Sequence, residues 1–349
     1  MMNQDACHRM ESPEFVRLSL ASAMALGIRE GRFYRGAKNP CINLLLNYNE
    51  GCKANCAYCG LARKRPGVFE QKSFIKVDWP LVSLDEVIDR INHRNGAVKR
   101  VCLSMITNTR CVNDTEVMVR RLAPAVDAPI SVLASPTIMK REHLLRLQAG
   151  GVDMLGVAVD GVTPSIFDRF RGKGVEGPHR WEHYWETVAD AVSIFGQGRV
   201  GVHLIVGLGE TEYEVCQTMT RVAEAGAVSQ LFSFWAEAES ALAGVGRPSW
   251  GAYLRVQLAR YLIDEGIANA ADFSYDVQGR LTGFSLSDDR LDGIISLGRP
   301  LMTSGCPGRD GEVACNRPFG NCLPDVKQWN YPYLPNEEEL ALIKENLWR

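Results

Sequence analysis

Between residues 42 and 265, short apolar runs alternate six times with longer amphipathic stretches, and this alternation restricts the chain to parallel βαβ units. The runs fall at 42–49, 98–106, 130–134, 154–159, 200–207 and 231–235. Helical spacing of apolar residues covers 84–93, 115–126, 138–148, 163–171, 181–195, 211–225 and 250–265. Gly, Pro and Asp mark the joints, as at Ser135-Pro136, Gly150-Gly151 and Gly207-Leu208-Gly209. Six such units fit an open doubly wound sheet or a barrel. Polar and Gly-rich residues follow the strand ends repeatedly, which favours a barrel whose chemistry rings its C-terminal face. The expected fold is therefore α/β, a partial (β/α)6 TIM-type barrel over residues 40–266. A helical lead-in, with a helix over 13–30, occupies residues 1–39. After residue 266 the alternation stops. Residues 267–349 form an extension with a hairpin near 273–286, a Cys-rich irregular segment over 297–335 and a last helix near 336–348.

The 349 residues carry a net charge of −2, which gives no electrostatic reason to expect nucleic acid or anionic lipid as a partner. No apolar stretch approaches the roughly 20 residues that cross a bilayer. The first residues show neither a basic region nor an apolar core of a secretory signal, so a cytoplasmic location is expected. In a reducing compartment eleven cysteines are not read as disulfides, and those that cluster are candidates for metal ligation. Cys52, Cys56 and Cys59 form one cluster; Cys306, Cys315 and Cys322 form another. Cys7, Cys41, Cys102, Cys111 and Cys216 are scattered, and a small buried hydrophobe is the ordinary role for each.

The first cluster lies in Gly51-Cys52-Lys53-Ala54-Asn55-Cys56-Ala57-Tyr58-Cys59-Gly60, just after the first barrel strand. Three thiolates on one loop can hold three irons of a four-iron cluster and leave the fourth open to a cofactor or substrate. A zinc site would need a fourth ligand nearby, and no His or Cys lies between Cys59 and His93.

The spacing Cys52-x3-Cys56-x2-Cys59, with aromatic Tyr58 before the last cysteine, resembles the signature of the radical S-adenosylmethionine (SAM) enzymes. The resemblance covers about residues 40–265. It implies a [4Fe-4S] cluster whose open iron binds SAM, reductive cleavage of SAM to a 5′-deoxyadenosyl radical, and Tyr58 behind the adenine. It also implies a reductant such as ferredoxin or flavodoxin. By the same resemblance Asp160 would hold the SAM ribose, although an Asp at such a turn also suits a helix N-cap. Ile205, Gly207 and Glu210 match the family's I-x-G-x-x-E pattern near the adenine, with His203 where that pattern opens on Gly. Thr107 and Asn108 stand where relatives hold the SAM amino group, without the family's Gly-Gly-Glu. Arg171, or Arg169, would pair with the SAM carboxylate.

The second cluster reads Ser304-Gly305-Cys306-Pro307-Gly308, then Ala314-Cys315-Asn316-Arg317-Pro318-Phe319-Gly320-Asn321-Cys322. Gly and Pro suit tight turns that aim thiolates at one centre, a second auxiliary Fe-S cluster or a structural zinc. Cys41 and Cys102 fall near strand starts, at the bottom of the expected barrel, where the tail would also arrive; Cys41 is the expected fourth ligand. The barrel is biotin-synthase-like, but Gly201 replaces a cluster cysteine of that enzyme. The tail resembles that of the radical SAM proteins that form two-component lipoyl synthases. That resemblance implies sulfur insertion into an octanoyl chain on a lipoyl domain, and a second radical SAM protein as partner. A carbon-skeleton or cofactor-maturation reaction on a small-molecule substrate, as in methylornithine synthase or the hydrogenase maturases, is the alternative. A non-catalytic Fe-S electron carrier is the reading from another class.

Overall fold

The structure, a computed structural model, describes residues 10–349 apart from Asn95, Asn321, Cys322 and Val326. The chain opens with strand β1 (Phe15–Leu18) and the short helix α1 (Leu20–Ala25), capped by Ser19. The first barrel strand is β2 (Cys41–Leu46), buried along its whole length. After a long loop come β3 (Leu81–Ser83) and α2 (Leu84–Asn92). The alternation then runs β4 (Arg100–Ser104), α3 (Cys111–Leu122), β5 (Ile130–Ala134), α4 (Arg141–Ala149) and β6 (Val152–Asp160). It continues with α5 (Pro164–Phe170), α6 (Trp181–Phe195), β7 (Val200–Val206), α7 (Glu212–Glu224), β8 (Val228–Ser233) and α8 (Trp250–Asp264).

The strands form one eight-stranded sheet in the order β3-β1-β2-β4-β5-β6-β7-β8. The six from β2 to β8 in this order are parallel, as short apolar strands separated by amphipathic helices require. This is the partial barrel read from the sequence. Among the described residues no pairing joins β8 to β3, so the barrel is open.

The helix expected over 13–30 is not formed. Residues 15–18 are a strand because both of their edges find partners: Val16 pairs with Leu46 of β2 and with Val82 of β3. This pairing overrides local helical periodicity. Only Leu20–Ala25 is helical, and it ends before Gly27, which takes φ +71. Arg17, fully buried in β1, donates to the carbonyls of Trp79 (3.1 Å), Phe69 (3.0 Å) and Lys72 (2.6 Å). One guanidinium thus fastens the long loop that borders the first cysteine cluster.

The extension holds the hairpin β9 (Ser274–Tyr275) and β10 (Leu281–Gly283), then α9 (Asp288–Ser296) and α10 (Glu337–Asn346). Helix α9 was not expected. Ser287 caps it and Asp288 and Asp289 occupy its first turn, a clear start signal, but only Ile294 and Ile295 are buried, so its apolar stripe is faint. Between α9 and α10 the chain crosses the N-terminal ends of the barrel strands. Arg100, the first residue of β4, donates through Nε to the Pro307 carbonyl at 2.6 Å and forms a two-pronged ion pair with Asp153 (2.6 and 2.9 Å). Among the described residues no helix is long and apolar enough to cross a membrane.

Candidate active site

A cavity of ≈ 280 Å3 fills the inside of the barrel. One end is closed by the loop that follows β2. Its backbone is tied to neighbouring loops: Lys53 N donates to the Thr107 carbonyl (2.7 Å) and Ala57 N to the Phe170 carbonyl (2.8 Å). Cys52, Cys56 and Cys59 all face the cavity. The Leu61 backbone N–H donates to Cys59 Sγ at 3.4 Å. Gly60 has no alternative, because a Cβ there would overlap the Ser73 carbonyl oxygen. Burial pushes the Cys56 thiol up to about 11, against the pull of Arg171, and also raises Cys59, with Cys52 adding to both shifts. Without metal these thiols stay protonated at neutral pH; iron would displace the protons.

Among the described residues no three or more His, Cys, Asp or Glu side chains gather round a point where a single metal ion would sit. Thiolates of a four-iron cluster each bind a different iron and need not share such a point. Three soft donors on one loop, backed by an amide N–H directed at sulfur, fit an iron–sulfur cluster.

Asp160 ends β6 with φ +62, a strained conformation for a residue with a side chain, where the β6–β7 register shifts. Its Oδ2 accepts from the Tyr58 hydroxyl (2.5 Å) and from Arg171 Nη1 (2.7 Å). Arg171 also donates to the Val159 carbonyl (3.0 Å) and the Tyr184 hydroxyl (3.2 Å). Behind it His179 meets Tyr184 and Thr137, at 2.9 and 2.6 Å. Burial, and then Arg171, holds the His179 imidazole down at about 2, so it is neutral. The helix α5 is capped by Thr163 (Ile166 N to Oγ1, 3.2 Å), so Asp160 is not its N-cap.

The other residues singled out in the sequence fall into two groups. Tyr58, Thr107, Asp160, Arg171 and Ile205 line the cavity. Asn108 does not; its amide braces the cysteine loop at the Gly51 carbonyl (3.3 Å). Gly207 and Glu210 also lie outside the lining: Glu210 accepts from the N–H groups of Gly207 and of Leu208 (2.9 Å) and shapes the turn after β7. Arg169 lies over the Phe170 ring. Arg171, expected at the SAM carboxylate, is committed to Asp160 and to strand carbonyls.

Cys306 and Cys315 line the same cavity from the opposite end. They are brought together by a tight hairpin in which Ala314 N and Cys315 N both donate to the Cys306 carbonyl at 3.0 Å. Gly305 permits this turn, since any Cβ there would overlap the Cys315 carbonyl oxygen. Cys41 lies beside Cys315: Asn43 Nδ2 donates to Cys41 Sγ (3.6 Å) and to Cys315 Sγ (3.4 Å). Cys7 and Cys322 lie outside the described residues. Asn43, Ser131 and Gln230, which the sequence did not single out, also line the cavity, as do Cys102 and His203, noted there only for their places on strands. Each is a lone polar or thiol side chain in an apolar strand, and the alternation of faces along a strand was the signal that could have found them.

The family model described as the radical SAM superfamily matches residues 46–222, half of the chain. A crystal structure of methylornithine synthase is similar over 70% of this chain and 67% of that one, at 12% identity and TM-score 0.50. The FeFe-hydrogenase maturase HydG from Carboxydothermus hydrogenoformans is similar over 70% of this chain and 56% of its own, at 16% identity and TM-score 0.49. The chain thus spans two thirds of the first relative and little more than half of the second. No curated protein sequence matches. With the match running from the end of β2 through the cysteine loop to α7, the chain belongs to the radical SAM superfamily and is a radical SAM enzyme, a family that carries a [4Fe-4S] cluster and uses SAM.

Proposed function

We propose that this enzyme inserts sulfur at an unactivated carbon of an octanoyl chain carried by a lipoyl domain, with a second iron–sulfur centre at the tail cysteines as the sulfur source. The observation that carries the reading is a single cavity lined at one end by Cys52, Cys56 and Cys59 and at the other by Cys306 and Cys315. When bound, the cluster of the first loop supplies the 5′-deoxyadenosyl radical from SAM. The chain's own residues do the rest. Tyr58 and Arg171 hold the Asp160 carboxylate at the cavity wall, where it can accept from the ribose hydroxyls. The lining also holds the apolar side chains of Leu45, Met105, Leu133, Ile205, Phe232 and Phe234. Such a lining suits a hydrocarbon chain and shields a reactive intermediate from side reactions.

The test is single turnover by anaerobically reconstituted protein whose inorganic sulfide is isotopically labelled, given an octanoylated lipoyl domain. A product that gains labelled sulfur while protein-bound iron falls supports the reading. Formation of 5′-deoxyadenosine with no sulfur in the product, or with unlabelled sulfur, overturns it.

A further inference from the structure

Buried parallel strands are normally apolar on both faces, yet this barrel carries a ring of polar side chains inside. Asn43 of β2 is the register partner of Cys102 on β4, and Cys102 that of Ser131 on β5. Across the barrel His203 of β7 is the register partner of Gln230 on β8. All five line the cavity. The tail hairpin delivers Cys306 and Cys315 against this ring.

The ring is chemically matched to sulfur. Asn43 Nδ2 donates to Cys315 Sγ at 3.4 Å, and Gln230 Nε2 to Cys306 Sγ at 3.6 Å. The Asn43 Oδ1 atom, by contrast, is buried with no hydrogen-bond partner. Amide N–H groups directed at sulfur are the outer contacts that tune iron–sulfur centres. Cys102 belongs to the same group: its thiol interacts with that of Cys315. Its strand also fixes the hairpin, because Arg100, two residues earlier on β4, binds the Pro307 carbonyl. The distance from Cys102 to the tail cysteines is thereby set by backbone register rather than by a free loop. Cys41, whose thiol also interacts with that of Cys315, differs in position: it is 0% exposed and lies outside the cavity lining.

We infer that Cys102 is a ligand of the second iron–sulfur centre, offered from the barrel wall beside Cys306 and Cys315, and that Cys41 packs behind the centre without binding it. The inference rests on the second centre of the proposed function. A ligand on β4 would build that centre into the frame that also carries the SAM site, so their separation across the cavity would be fixed by the sheet.

The experiment starts from the full-length Cys52→Ala/Cys56→Ala/Cys59→Ala variant, in which only the second centre can load. It is reconstituted anaerobically with iron and sulfide, and the readouts are iron and sulfide per chain and the EPR spectrum after reduction. The expected content is about four irons. Adding Cys102→Ala should lower it at least twofold, whereas adding Cys41→Ala should leave both content and spectrum unchanged. Cys102→Ser, nearly isosteric, guards against misfolding: it should either lose iron or keep it with a shifted EPR spectrum, as oxygen replaces sulfur on one iron. Full iron and an unchanged spectrum in both Cys102 variants would overturn the assignment. Loss of iron in Cys41→Ala with retention in the Cys102 variants would transfer it to Cys41. If the starting variant binds no iron at all, the second centre itself fails, and the proposed sulfur source with it.

Discussion

Arg171 is the residue on which the candidate SAM pocket can be tested most sharply. Its side chain is 6% exposed and that of Asp160 13%, and they meet at 2.7 Å. Replacing Arg171 by Met keeps much of the packing against Phe167 and Tyr184 but leaves a carboxylate in the cavity wall without its cation. Breaking a buried pair in this way costs about 3–5 kcal/mol. Unfolding entropy of about 2.1 cal/mol/K per residue comes to about 0.7 kcal/mol/K for a chain of this length, so the melting temperature should fall by about 4–7 °C. Asp160→Asn should cost a similar amount, because it strands the guanidinium. The double variant should lose about 3 kcal/mol less than the two singles added together, since neither charge then lacks its partner. The assay is anaerobic calorimetry of the iron-loaded proteins, with SAM binding measured on the same set. Singles that melt within 1 °C of the parent protein, or strictly additive losses, would refute the reasoning that this pair holds the pocket wall.

Three further outcomes follow from named contacts. Gly305→Ala should open the hairpin that joins Cys306 to Cys315; total iron in reconstituted protein should drop by about four per chain while SAM cleavage persists. Gly201→Ala should cost about 1 kcal/mol or less, because its Cβ meets only the flexible end of Gln230. The displaced amide would leave Cys306, and the EPR spectrum of the proposed second centre should shift with iron content unchanged. His179 is held neutral down to about 2. Below its ordinary pKa of about 6.5 the unfolded chain therefore binds a proton that the folded chain does not, and stability falls with falling pH by about 1.4 kcal/mol per unit. The melting temperature should drop by about 2 °C per unit on this account. His179→Gln should lessen that slope, with a remainder from His203, which burial lowers to about 4.

The barrel was legible because each of its units repeats the same local instruction: an apolar run short enough for a strand, then a stripe at helical spacing. Strand β5 and helix α6 coincide with their expected bounds. What failed was decided by partners distant in sequence. Residues 15–18 alternate Val16 and Leu18 with a buried Arg17, a pattern that becomes a strand only when β2 and β3 supply its two edges. In the first site all three cysteines and Tyr58 lie on one loop, so spacing alone could identify them. Glu210 and Asn108 matched expected positions, yet their side chains serve the backbone of the turns that carry them, which no spacing could reveal.

The polar ring at the opposite end of the cavity was hidden for a geometric reason. A lone Asn, Cys, Ser, His or Gln in a buried strand is unremarkable by itself, since a single hydrogen bond satisfies it. Parallel register turns such residues into a set: Asn43, Cys102 and Ser131 become neighbours although some 30 to 60 residues separate successive members in the chain. A hydrocarbon-binding barrel would gain nothing from interrupting its wall at that level, because each buried polar group must find a partner or carry a desolvation cost. The interruption is explicable when the hairpin of Cys306 and Cys315 is considered with it. Two of the ring's amides donate to thiol sulfur, and Cys102 adds a further thiol at the same level. The polar ring and the tail therefore make one site, assembled only when the chain's last eighty residues return to the strands from which the barrel began.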